Sequence, residues 1–119
     1  MKTKRALLIV ESTKSAMDRA FREMKKPSGK YAGATVLSFP NFETLGKVIS
    51  PARLELLSAI RRAKPKSIQE LSRIVKRDFK NVYQDVKALA EAGLLELKEQ
   101  GKGKASALKA LYEELIFAA

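Results

Sequence analysis

Five side chains within eight residues carry the most legible chemistry of this chain: Lys80, Asn81, Tyr83, Gln84 and Lys87. An amide such as Asn81 or Gln84 offers a donor and an acceptor at the spacing of the adenine N6/N7 edge. A lysine reaches guanine or a phosphate, and a tyrosine hydroxyl can hydrogen-bond to a phosphate oxygen. Singly, each is an ordinary solvated residue. Read at 3.6 residues per turn, Lys80, Tyr83, Gln84 and Lys87 share one side of a helix with Asn81 at its flank. Phe79, Val82, Val86 and Leu89 make the opposite, apolar side. Such a face recognises base edges and phosphates through hydrogen bonds and charge.

Residues 67–95 supply the elements that must position this face. Ile68, Leu71, Ile74 and Val75 form the apolar stripe of a first short helix. Ser67 is its expected N-cap, with Glu70 completing a capping box. Lys76-Arg77-Asp78 is the break, and Asp78 is expected to cap the second helix by accepting from its free backbone N–H groups. Gly93 ends that helix as a C′ residue, and Leu94-Leu95 lead into an extended segment. Two short helices, a three-residue break and a basic outer face together read as a helix-turn-helix whose second helix enters a major groove.

Bulk composition points the same way. The 119 residues amount to one domain, with room for a small appendage, and 45% of them are hydrophobic, enough for a folded core. Lys+Arg number 24 against 13 Asp+Glu, a net charge of +11 that favours polyanionic partners, nucleic acid first. A basic membrane-surface protein competes with this reading, but no long apolar run or lipidation signal supports it. Cysteine and histidine are both absent, which excludes disulfides, thiolate or imidazole metal sites and histidine-based catalysis. Gly101-Lys102-Gly103-Lys104 lacks the spacing and the strand-to-helix setting of a phosphate-binding loop. The chain is therefore expected not to be an enzyme and to need no cofactor.

In chain order, Lys2, Lys4 and Arg5 precede an apolar run too short for a signal peptide, so a cytoplasmic location is expected. Residues 5–10 favour a strand. A helix follows from Glu11-Ser12-Thr13 to about Lys26, with Met17, Ala20, Phe21 and Met24 as its apolar face, and Pro27-Ser28-Gly29 stops it. Residues 35–39 make a second strand, so residues 1–40 form a β-α-β arm. The net +6 of residues 1–30 is read mostly as a solvated surface, with phosphate contact as the alternative. Asn41 is expected to cap a short helix with Phe42, Leu45, Val48 and Ile49 on its apolar face. Ser50-Pro51 starts another, with Leu54, Leu57 and Ile60 in the core.

Helices at 51–63, 67–75 and 79–92 then form a three-helix core. A wing is expected after them: residues 95–98 alternate as a half-buried strand, and the basic tip at 99–104 suits a phosphate backbone. For residues 106–115, propensity favours helix and the winged architecture favours a strand. A strand is expected for at least part of it, ending in Leu115-Ile116-Phe117. The fold class is thus α+β, a winged helix-turn-helix over residues 41–119 (three-helix core plus β-wing) with an N-terminal β-α-β arm.

Residues 39–117 resemble the MarR/ArsR-like winged helix regulators, and more closely a group of small prokaryotic DNA-binding proteins, some of them antitoxin-like. Pro51-Ala52-Arg53-Leu54-Glu55-Leu56-Leu57 and Arg77-Asp78-Phe79-Lys80-Asn81-Val82-Tyr83-Gln84-Asp85-Val86 carry most of the match. The resemblance implies a dimeric repressor that contacts bases with the second helix and phosphates with the wing. One helix reads only a few base pairs, so a homodimer is expected, with the arm as its interface. The candidate contacts to double-stranded DNA are Ser67, Lys76, Arg77, Lys80, Asn81, Tyr83, Gln84, Lys87, Lys98, Lys102 and Lys104. Two alternatives remain open: an antitoxin-like protein that binds a toxin partner and autoregulates, and a non-specific architectural binder held by charge.

Overall fold

The computed structural model describes residues 4–22, 32–98 and 107–118 of an α+β chain. It divides into two compact units, Met1–Lys47 with Tyr112–Ala119, and Val48–Leu111. The division differs from the expected single break at residue 40, because the last segment of the chain joins the first unit.

That first unit is built on β1 (Arg5–Val10), which lies between two other strands. It pairs in parallel with β2 (Thr35–Phe39), Leu8 opposite Leu37, after the crossover through α1 (Thr13–Arg22). This is the expected β-α-β arrangement. The other edge of β1 is taken by β5 (Glu114–Ala118), also parallel, with Leu7 opposite Ile116. The terminal strand, expected as the return strand of a wing, therefore pairs with the first strand instead. The physical reason lies in β1 itself: Ala6, Leu7 and Leu8 are all buried, and a continuous apolar run of this kind belongs at the centre of a parallel sheet.

Local hydrogen bonds set the ends of these elements. Ser15 N–H donates to Ser12 Oγ at 3.1 Å to start α1, and Thr44 N–H donates to Asn41 Oδ1 at 2.7 Å to start α2 (Phe42–Val48). Met17 and Phe42, expected in the core, are instead exposed. Among the α1 residues whose burial is described, Ala16 and Arg19 are half-buried, and Arg19 is drawn in by its ion pair to Glu11 at 2.6 Å. The expected extension of α1 to Lys26, with Met24, lies outside the described residues.

The second unit holds α3 (Pro51–Ala63), α4 (Ile68–Val75), α5 (Phe79–Glu91) and an antiparallel hairpin of β3 (Leu95–Lys98) and β4 (Ala107–Ala110). Its core is Leu56 and Ile60 of α3, Leu71 of α4, and Val82, Val86 and Leu89 of α5, closed by Leu94 and Leu95. Ser50 caps α3 by accepting from Arg53 N–H at 3.2 Å, with Pro51 in the first turn. Leu54 and Ile74, expected in the apolar stripes, are partly exposed; Leu56 and Ala59 are buried in α3 instead. Residues 107–115 form β4, a short break and the start of β5, so the strand expectation holds over 107–110 and the helix suggested by propensity does not form there; residue 106 lies outside the described residues. β3 lies against α5 and β4 against α3, so the hairpin is seated on the helices.

Candidate nucleic-acid interface

The break between α4 and α5 fixes where α5 points. Lys76 takes the left-handed conformation at φ 55°, and two bonds close the end of α4: Lys76 N–H to Arg73 O at 3.3 Å and Arg77 N–H to Ser72 O at 3.1 Å. These are the two bonds of a Schellman turn. The same pair recurs after α5, where Gly93 at φ 86° donates to Ala90 and Leu94 donates to Leu89. The chain thus reverses sharply on both sides of α5, once with a lysine and once with a glycine.

At about 100° per residue, the circumference of α5 sorts cleanly. Val82, Val86 and Leu89 are buried on one side. Two adjacent i, i+4 rows lie on the other: Phe79, Tyr83 and Lys87, then Lys80 and Gln84. Lys80, Asn81 and Gln84 are exposed, Tyr83 is 36% exposed and Lys87 is half-buried. Phe79 does not join the buried face as expected. It is 49% exposed and stacks on Tyr83 with ring centroids 6.0 Å apart, while Lys87 Nζ lies 5.9 Å from the Tyr83 ring centroid. The reason is angular: Phe79 sits at the border of the apolar sector, in the first turn of the helix.

The other candidate residues occupy different settings. Ser67 is the N-cap of α4, its hydroxyl accepting from Glu70 N–H at 3.0 Å. The Glu70 carboxylate reaches back to Lys66 N–H at 3.2 Å, one residue earlier than the expected capping box. Asp78 precedes α5 at the N-cap position but makes no side-chain capping bond, contrary to expectation. Lys76 is exposed at the break, and Lys98 is exposed on β3 beside Glu96 at 3.4 Å. Lys102 and Lys104, with the rest of the expected wing tip, lie outside the described residues.

Arg77 has a partner inside the protein. Its guanidinium donates to Asp85 Oδ2 at 2.7 Å, while Arg53 Nε of α3 donates to Asp85 Oδ1 at 3.1 Å. Arg53 also reaches Val48 O at 3.3 Å. One carboxylate on α5 thereby ties together α3, the break and α5. The Asp85 side chain is only 16% exposed, so these charge-assisted bonds are weakly screened. Asp85 and Arg53 escaped the sequence reading as site residues because pairs 32 positions apart leave no local signature. Lys109, exposed on β4 opposite Glu96, adds a further cation to the hairpin.

A family model matches residues 48–116, more than half of the chain, from the start of the second unit into β5. The chain belongs to the HVO_A0114 family. No protein with a curated description matches the chain. The HVO_A0114 match covers α3, α4, α5 and the hairpin, so every candidate contact from Ser67 to Lys104 falls within it. No helix among the described residues is long and apolar enough to cross a membrane.

Proposed function

We propose that this chain is a sequence-specific double-stranded DNA-binding transcriptional regulator of the winged helix-turn-helix type, acting as a dimeric repressor and not as an enzyme. One observation carries the reading: α5 buries Val82, Val86 and Leu89 and turns Lys80, Tyr83 and Gln84 outward, on a helix held to its neighbours through Asp85. In this reading α4 and α5 are the helix-turn-helix, α3 supports it, and β3 and β4 form the wing. The likeness of residues 39–117 to MarR/ArsR-like regulators supports it as well.

The roles divide by chemistry. Lys80, Gln84 and Asn81 read base edges from the major groove, with Lys87 and Tyr83 beside them. Lys76 and Lys98 neutralise phosphates, and Ser67 presents the start of α4 to the backbone. Arg77 moves out of the phosphate set in this scheme. Its bond to Asp85 makes it a positioning residue for α5.

Sequence-specific repression by one short helix requires a second copy about one helical turn away, ~34 Å, on a symmetric operator. In this reading the first unit, where Met17, Phe42 and Phe117 are 57%, 64% and 51% exposed, supplies the contact with a second copy of the chain. The same side chains also favour a second reading, an antitoxin-like protein whose first unit binds a toxin; a toxin-like reading frame beside the gene would shift the assignment.

The test is fluorescence anisotropy with the gene's own upstream DNA and a scrambled duplex of equal length, each at several salt concentrations. The expected result is a native duplex bound tighter by ~10³ or more at physiological salt. Equal affinity, with both duplexes released together as salt rises, sinks the sequence-specific reading and leaves a charge-held architectural binder.

A further inference from the structure

We propose that the first base-reading element of α5 is apolar: Phe79, backed by Tyr83, seats the 5-methyl group of thymine, so the preferred site carries thymine where the first turn of α5 enters the groove. This rests on the DNA-binding reading above and names what that surface selects. Three observations support it. A phenyl ring left 49% exposed at the first residue of α5 is out of place on a helix whose apolar side is already filled by Val82, Val86 and Leu89. Its stacking on Tyr83 at 6.0 Å joins the two rings into one apolar step, along a row that ends in the Lys87 ammonium. Lys80 and Gln84 flank that row, and residues 76–87 carry four Lys/Arg against two Asp/Glu, so the surface around the step suits a polyanion better than an apolar protein face.

The chemistry follows from what the major groove displays. Guanine, cytosine and adenine are distinguished there by hydrogen-bonding groups and carry no methyl, whereas thymine adds a methyl group. In a helix-turn-helix, the first residues of the second helix contact base edges. A phenyl ring at that point cannot satisfy a polar edge. Against thymine it removes the methyl group and its own exposed carbon from water together. The carbonyl of the same thymine, or the phosphate beside it, remains within the class of partners that Lys80 and Lys87 take.

The experiment uses the full chain. Duplexes selected by it from a random library are resynthesised with each thymine replaced by deoxyuridine, which removes only the methyl group, and affinities are compared by anisotropy. The wild type is expected to lose about fourfold per methyl at one or two positions and nothing elsewhere. Phe79→Ala should bind the thymine and deoxyuridine duplexes alike, Phe79→Gln should do the same, and Phe79→Leu should keep part of the difference. Thermal melts of the variants establish that each is folded, and Phe79→Gln carries the test if Phe79→Ala is not. Equal wild-type binding to both forms of a selected duplex overturns the proposal while leaving sequence-specific binding intact. So does full thymine dependence in both Phe79→Ala and Phe79→Gln. A library that yields no preferred duplex overturns this inference together with the reading beneath it.

Discussion

At the scale of single residues, two backbone positions and one carboxylate do most to hold α5. Lys76 sits at φ 55°, where a Cβ is disfavoured, while Gly93 holds φ 86° at the far end without that cost. Replacing Lys76 with glycine should therefore raise stability by about 0.5–1 kcal/mol, despite the extra freedom of the unfolded chain. Gly93→Ala should lower it by about 1–2 kcal/mol. Urea titration reads both, and a loss of stability in Lys76→Gly would show that the side chain of Lys76 matters more than its backbone. Asp85 is the third. Asp85→Ala leaves Arg53 and Arg77 without their shared acceptor, with Arg77 already holding one buried nitrogen without a bond. The expected loss is about 2–3 kcal/mol, below the range for fully buried pairs because the arginines are partly solvated. Charge alone is not the cause if Asp85→Asn, which removes the charge and keeps one acceptor, loses much less.

For the elements, the question is which one reads and which one anchors. Gln84 is exposed on α5 and Lys98 on β3; on the proposed reading the first faces the groove and the second a phosphate. Gln84→Ala should weaken binding by about 1–3 kcal/mol at one base pair and relax preference there. Lys98→Gln should leave preference unchanged and reduce the slope of log affinity against log salt by about 1. Both come from the same anisotropy titrations. If the two substitutions change preference and slope together, the division between a reading helix and an anchoring hairpin is wrong.

Over the whole molecule, the final strand belongs with the first. β5 closes one edge of the sheet around β1, and Lys4 O accepts from both Glu113 N–H at 2.8 Å and Glu114 N–H at 3.3 Å. A chain ended at Leu111 should then lose slow hydrogen exchange at the amides of Leu7 and Leu8, while those of Val86 and Leu89 stay protected. Mass-resolved exchange separates the two units. Loss of protection in both would mean that the second unit depends on the first for its stability. Light scattering belongs at this scale too: Phe117→Asp should reduce a dimer to a monomer and weaken operator binding with it. An unchanged mass would remove Phe117 from the interface.

What the sequence alone determined is the local grammar of the chain. Ser12, Asn41, Ser50 and Ser67 mark helix starts because a cap bonds its own neighbours, two or three residues ahead. Gly93 marks an end because few other residues accept its conformation. From these signals α3, α4 and α5 can be placed almost to the residue, and with them the face of Lys80 and Gln84. Other features were decided only by tertiary structure. Alternating or apolar runs say that a segment is a strand, not which strand it joins, so the pairing of β5 with β1 across more than a hundred residues left no trace. Helical spacing puts Phe79 at the edge of the buried sector, and only the packed neighbours of α5 decide that its ring stays in solvent. Arg77 looked like a phosphate contact because its partner, Asp85, lies two turns on and is shared with Arg53 of α3. Caps and turns are written in sequence because their bonds are short-range; strand partners, ion-pair partners and the rims of buried faces depend on what the rest of the chain brings beside them.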